Sequence, residues 1–280
     1  METTVTIELS NEPQAFQQFE HRGWETISDG YQQHFARLTS QAVPTTLDAA
    51  AIEEGMRVLD VCTGPGMLAA AAVERGAQVI GLDFSGKVIE IARRNVPKAE
   101  FQEGDAQALS FEDDSFDAVV CGFGVMHVPD PAMALSEIRR VLKPGGRAAI
   151  STWEAPKPTN GFGVLYGAIK ANGDFNVPLP HGPDFFQFSD EEKMTMALRE
   201  TGFRDIAVHY VDQTWELNDS MGIVSAVSEG AVRVRGLLEA QTEAARNAIS
   251  EAVKAGMSQF ASADHRYRVP MPALIGAGAK

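Results

Sequence analysis

Two periodicities alternate through the middle of the chain. Arg57-Val58-Leu59-Asp60-Val61 and Gln78-Val79-Ile80-Gly81-Leu82 are short apolar runs of strand length, and residues 66–75 between them read as a helix stopped by Gly76. Ser85 caps a second helix with Val88, Ile89, Ile91 and Ala92 on one side, and Pro97 ends it before a short strand around Phe101. A fourth strand spans 117–122. Asp130-Pro131 then supplies a cap and a first-turn proline for a helix whose stripe is Leu135, Ile138, Val141 and Leu142. Lys143-Pro144-Gly145-Gly146 stops that helix, and 147–153 is the fifth strand. Strands and helices in this alternation predict a doubly wound, mostly parallel sheet with right-handed crossovers.

Outside this stretch the texture changes. Phe16, Phe19, Trp24, Ile27, Tyr31, Phe35 and Leu38 predict amphipathic N-terminal helices over the sheet's edge. Residues 154–188 are rich in Pro and Gly and carry Phe162, Tyr166, Phe175, Phe185, Phe186 and Phe188, which reads as a partly helical cap. Residues 190–200 return to helix, 206–211 form a sixth strand, and 273–276 return to the sheet as a seventh. Residues 232–260 show one apolar stripe, Leu237, Leu238, Gln241, Ala245, Ile249, Ala252, Met257 and Phe260, suited to core or to contact in a homo-oligomer. The expected organisation is cap helices at 1–50, an α/β Rossmann-like core at 51–153, a cap at 154–188, and a C-terminal part at 189–280 with a helical insertion at about 219–262.

Charge narrows the partners. The 280 residues include 38 Asp and Glu against 24 Lys and Arg, a net charge of −14, and that field repels phosphate backbones and anionic lipid. Nucleic acid is therefore not an expected partner. No apolar run reaches membrane-spanning length, and residues 1–10 lack the basic-then-apolar order of a secretory signal, so a cytoplasmic protein without membrane insertion is expected. Cys62 and Cys121 lie in apolar runs and read as reduced thiols, with no metal site expected.

The turn after the first strand, Gly64-Pro65-Gly66-Met67-Leu68-Ala69, fits the G-x-G-x-x-[GA] pattern that lets backbone approach a nucleotide. Asp83 ends the second strand about twenty residues on, where a carboxylate can accept both ribose hydroxyls. Together they point to an adenosine cofactor at the carboxyl ends of the strands. A nicotinamide-dependent dehydrogenase shares both features. Against it stand Asp60 ahead of the loop and Asp105 after the third strand, because an acid beside the loop suits an ammonium group rather than a pyrophosphate.

Five ordered motifs resemble the class I S-adenosylmethionine-dependent methyltransferases, within them the small-molecule group that includes the ubiquinone/menaquinone C-methyltransferases. They are residues 58–66, 81–85 and 103–111, Ser115-Phe116-Asp117-Ala118-Val119-Val120, and Arg140-Val141-Leu142-Lys143-Pro144-Gly145-Gly146, and they cover about 55–153. Cys62 departs from the pattern by standing where the family usually has the first glycine of its loop. The resemblance implies S-adenosylmethionine as cofactor, S-adenosylhomocysteine as product, and a small, apolar or aromatic acceptor methylated at O, N or C. It implies that Gly64, Pro65 and Gly66 pass under the methionine portion while Asp60 holds its amino group. Asp83 would bind the ribose, Phe84 pack on the adenine, and Asp105 and the Ala106 N–H meet the adenine edge. Cys62, Cys121 and Gly122 would stand near the methionine end, with Tyr31 closing the site.

Such a site needs few catalytic side chains, since orientation supplies much of the acceleration and a base matters only for a protonated acceptor. His127 is the candidate base, with loop anchoring or a cofactor-side role as its alternative; His181 is a second candidate that reads first as a loop residue. The aromatic run in 154–188 lines a pocket or packs the cap. A cofactor-binding protein that rearranges its ligand without methylating it, as in a pericyclic reaction, is the rival function on the same fold. The inventory offers no further thiol for arsenic methylation.

Overall fold

The computed structural model describes residues 12–280, so the expectation for residues 1–10 and the start of the N-terminal cap lie outside the described residues. The chain opens with α1 (Glu12–His34), α2 (Ala36–Thr39) and α3 (Val43–Ala49). It then alternates through β1 (Arg57–Val61), α4 (Met67–Glu74), β2 (Gln78–Asp83), α5 (Gly86–Asn95), β3 (Glu100–Glu103), β4 (Phe116–Gly122), α6 (Pro131–Val141) and β5 (Leu142–Trp153). These five strands lie parallel in the order β3-β2-β1-β4-β5. Because both faces are covered, β1 and β4 are apolar almost throughout. Val58, Ala118 and Val120 pack with residues of α3, α4 and α5 on one side; Leu59, Val61 and Val119 pack with Leu135 and Ile138 of α6 on the other.

The remaining elements are α7 (Gly161–Asn172), α8 (Glu191–Glu200), β6 (Arg204–Val211), β7 (Thr214–Leu217), α9 (Gly222–Gly230), α10 (Val232–Glu239), α11 (Glu243–Met257), β8 (Tyr267–Pro270) and β9 (Ala273–Ala279). β9 runs antiparallel between β5 and β6 and completes a seven-stranded sheet. β7 and β8 pair into a separate two-stranded ribbon that brackets α9, α10 and α11. No helix among the described residues is long and apolar enough to cross a membrane.

Several elements differ from the sequence reading. Leu142 is not the last residue of a helical stripe but the first of β5, which starts five residues before 147. Phe116 pairs with Leu142 and Ala118 with Arg147, so Lys143-Pro144-Gly145-Gly146 is a bulge inside the strand, turned by Gly145 at φ +80°. The stripe over 232–260 belongs to two helices. Gln241 sits at their corner, buried, its amide accepting from the Asp174 N–H at 2.8 Å and donating to the Asp174 carbonyl at 2.6 Å, and Thr242 caps α11 through the Ala245 N–H. A polar side chain thus docks the 173–176 turn where an apolar stripe was read. The four-residue β7 and β8 were too short to stand out, although Trp215 and Leu217 alternate with exposed neighbours.

The N-terminal helix does not lie at the sheet's edge. α1 crosses the carboxyl ends of β2, β3 and β4, held there by polar anchors. Gln17 Nε2 donates to Asp105 at 2.8 Å, Ser85 Oγ donates to Glu25 at 2.6 Å, and His127 Nδ1 meets Glu20 at 3.0 Å. Its other side packs on α9 and α10.

Ser85 joins two of these links, since its Oγ also accepts the Val88 N–H at 3.2 Å as the cap of α5. Ser85→Ala is expected to cost about 1–2 kcal/mol in urea unfolding; an unchanged midpoint would show that neither bond contributes.

Candidate functional site

The strand order reverses between β1 and β4, and at such a switch point the loops leaving adjacent strands diverge and open a crevice at their carboxyl ends. A cavity occupies it. Its floor is Asp60 and the loop after β1 with Cys62, Gly64 and Pro65, together with Asp83 at the end of β2; its walls are Phe84 after β2, Asp105 and Ala106 after β3, and Gly122 and His127 at and after β4. α1 roofs it with Gln17, Trp24, Ser28 and Tyr31.

The floor is bent by left-handed backbone. Cys62 and Gly64 both have φ +55° and Gly66 has φ +88°. A Cβ on Gly64 would meet nothing within 4 Å and would project into open space, so its absence leaves bare backbone facing the cavity. Gly66 serves a different end: a Cβ there would lie 3.0 Å from Val96 and 3.5 Å from Phe101, so it lets the loop close on α5 and β3 and does not line the cavity. Cys62 holds a conformation that favours glycine, and its thiol pairs with that of Cys121, which raises its pKa well above the usual value together with burial. Cys121 itself is buried in the core on the α6 side and, contrary to the sequence expectation, is not part of the cavity wall.

Two carboxylates are sunk into the floor. Asp60 is 1% exposed; its Oδ2 accepts the Thr63 hydroxyl at 2.6 Å and the Ala69 N–H at 3.1 Å. Asp83 is 6% exposed and accepts the Gly64 N–H at 3.0 Å and the Ser85 N–H at 3.2 Å. Neither has a Lys or Arg partner among the described residues. Burial dominates over these hydrogen bonds and pushes Asp60 up to about 7 and Asp83 up to about 6. Asp105 is more open, its oxygens shared by Gln17, the Gln107 N–H and the Gln107 amide.

The roof is aromatic. Tyr31 stacks on Phe35 at 5.5 Å and meets Trp24 edge-on at 5.2 Å, and burial pushes its phenol up to about 12. His127 stands between Trp24 (5.2 Å) and Phe185 (5.5 Å), both rings edge-on to the imidazole. Phe162, Tyr166, Phe185 and Phe186 pack mainly on one another and stay out of the cavity wall. His181 is exposed and away from the site. Among the described residues, no cluster of His, Cys, Asp or Glu is arranged to hold a metal ion.

The sequence reading missed Gln17, Glu20, Trp24 and Ser28 as site residues. Glu20 is fully buried and Ser28 is 3% exposed, and Glu20 Oε1 and Ser28 Oγ have no hydrogen-bond partner among the described residues. The signal was available: positions 17, 20, 24, 28 and 31 fall on one face of α1, where the polar Gln17, Glu20 and Ser28 share a stripe with the aromatic Trp24 and Tyr31.

A family profile described as "Methyltransferase domain" matches residues 59–150. The chain is 43% identical over 173 residues to the demethylmenaquinone methyltransferase of Clavibacter sepedonicus, covering 58% of this chain and 71% of that protein. It is 37% identical over 132 residues to the protein of the same name from Renibacterium salmoninarum, covering 47% of this chain and 53% of the relative. Among solved structures, phosphoethanolamine N-methyltransferase 2 of Haemonchus contortus, in complex with phosphomonomethylethanolamine and S-adenosylhomocysteine, shares the fold. Its TM-score is 0.56 at 20% identity, over 95% of this chain and 60% of that one. The [4+2]-cyclase SpnF also shares it, with TM-score 0.55 at 18% identity over 94% and 96% of the two chains.

The raised carboxylates fix a pH dependence for the unliganded protein. A folded pKa above the unfolded 3.8 means that the folded state binds the proton more tightly, so this contribution is present below about pH 4 and lost as pH rises through 6 to 7. Asp83→Asn, which stays neutral, is therefore expected to gain stability relative to the natural protein between pH 5 and 8 in urea unfolding. A pH-independent difference would contradict the burial argument.

Proposed function

The chain belongs to the class I S-adenosylmethionine-dependent methyltransferases, and on that premise we propose that it methylates O, N or C of a small apolar or aromatic metabolite, with His127 taking the acceptor's proton. The observation that carries this reading is the contrast between the two halves of the cavity: buried carboxylates in the floor, and aromatic side chains around one titratable imidazole at the roof. The floor suits a cation and the roof suits an apolar ring. Relatives named demethylmenaquinone methyltransferase support an acceptor of the quinol kind.

The residues present fit the cofactor. Asp60 and Asp83 are buried carboxyl groups with no Lys or Arg partner among the described residues, so a ligand that favours their charged forms fits there, and the bare backbone at Gly64 leaves room for close approach. S-adenosylmethionine supplies, when bound, a methyl group already activated on a sulfonium. Asp83 accepts from the ribose hydroxyls and Asp60 holds the amino group. Phe84 packs on the adenine, and Asp105 and the Ala106 N–H take its polar edge. Cys62, Gly64, Pro65 and Gly122 shape the methionine end, and Tyr31 and Trp24 exclude water above it. Gly66 acts through loop packing and Cys121 through its thiol's contact with the free thiol of Cys62.

The test is formation of S-adenosylhomocysteine with hydroquinones, phenols and amines as acceptors. Turnover with an apolar ring acceptor supports the reading; intact cofactor alongside a rearranged ligand would favour the non-methylating alternative. Asp83→Ala is expected to weaken cofactor binding by about 1–3 kcal/mol in calorimetry. His127→Ala is expected to leave that affinity unchanged and to lower kcat by about 10²-fold or more. The reverse pattern, affinity lost with His127 and kept without Asp83, would exchange the two assignments.

A further inference from the structure

We propose that Glu20 is the positioning residue for His127: it holds the ring with its proton on Nδ1 and so leaves Nε2 as the proton acceptor facing the cavity. This rests on the reading of His127 as the base. Glu20 is fully buried, and its Oε2 lies 3.0 Å from His127 Nδ1 and accepts the Trp24 Nε1–H at 3.1 Å. No protein group among the described residues hydrogen-bonds Nε2, and His127 borders the cavity with 17% of its side chain exposed. The imidazole plane is fixed edge-on by Trp24 and Phe185, at 5.2 and 5.5 Å.

A carboxylate can only accept, so a ring nitrogen bonded to it must carry the proton, and the opposite nitrogen is left with its lone pair free. The acceptor's O–H, N–H or acidic C–H bond then breaks with its proton passing to Nε2. The electron pair left behind forms the new bond to the methyl carbon, and the carbon–sulfur bond breaks with its pair on sulfur. The imidazolium is left beside Glu20 as counter-ion until it returns its proton to water. Other charges near the ring are Asp83 at the end of β2 and Arg233 of α10, whose guanidinium lies 5.6 Å from the centroid of the Phe185 ring.

The experiment is long-range ¹H–¹⁵N correlation of the histidine side chains in the full chain without ligand, for the natural protein, Glu20→Gln and Glu20→Leu. The expected result is a neutral ring protonated on Nδ1 in the natural protein. Glu20→Gln keeps that tautomer but binds the ring's second proton about tenfold more weakly, because it accepts without charge. Glu20→Leu loses the tautomer preference as well. A natural-protein ring protonated on Nε2 overturns the proposal without need of any variant, as does the same tautomer and midpoint in all three proteins. A purely structural Glu20 would lower stability and leave the ring signals alone. These signals need no methyl acceptor, so failure to find an acceptor is separable from failure of this assignment.

Discussion

Two carboxylates, Asp60 and Asp83, are buried at the carboxyl ends of neighbouring parallel strands with no Lys or Arg partner among the described residues, and much of the molecule is arranged around that constraint. Desolvation raises their proton affinity, and hydrogen bonds from Thr63 and Ala69 to Asp60, and from Gly64, Phe84 and Ser85 to Asp83, offset it in part. Those donors exist because the chain turns sharply after β1 through left-handed residues and then enters α4, whose Ala69 N–H reaches back to Asp60. The parallel sheet is what makes the arrangement possible. It aligns strand ends at one rim, and the reversal of order at β1 and β4 opens that rim to a ligand.

α1 answers the same constraint from above. A helix lying over a polar crevice must satisfy its own polar face, and it does so by bonding to the loops after β2, β3 and β4 through Glu25, Gln17 and Glu20. The roof is thus anchored at three of the strand ends that build the floor. Between anchors it presents Trp24, Tyr31 and the partnerless Ser28 hydroxyl to the cavity, so the apolar half of the site comes from a helix outside the alternating core.

The core was legible in the sequence because its signals are local. β1, β2 and β4 are short apolar runs, Ser85 and Asp130 cap the helices they precede, and Val88, Ile89, Ile91 and Ala92 are the buried face of α5. The loop and strand-end positions Gly64, Asp83 and Asp105 follow from spacing alone. What escaped depends on distant partners. The bulge in β5 is set by pairing with β4, the break at Gln241 by docking of the 173–176 turn, and the β7–β8 ribbon by two four-residue segments far apart in the chain. Glu20 escaped for a similar reason. On the helix it is one of three polar residues sharing a face with Trp24 and Tyr31, and only the fold brings it to His127.

The most direct test of the central claim is the proton balance of cofactor binding, measured by calorimetry of S-adenosylmethionine at pH 6.5 in buffers of different ionisation enthalpy. If the buried carboxylates are the cofactor's partners, Asp60 at its amino group and Asp83 at its ribose hydroxyls, binding favours their charged forms and releases protons to the buffer, with less release in Asp83→Asn. No net exchange, or proton uptake, would contradict the claim and place the positive end of the cofactor elsewhere.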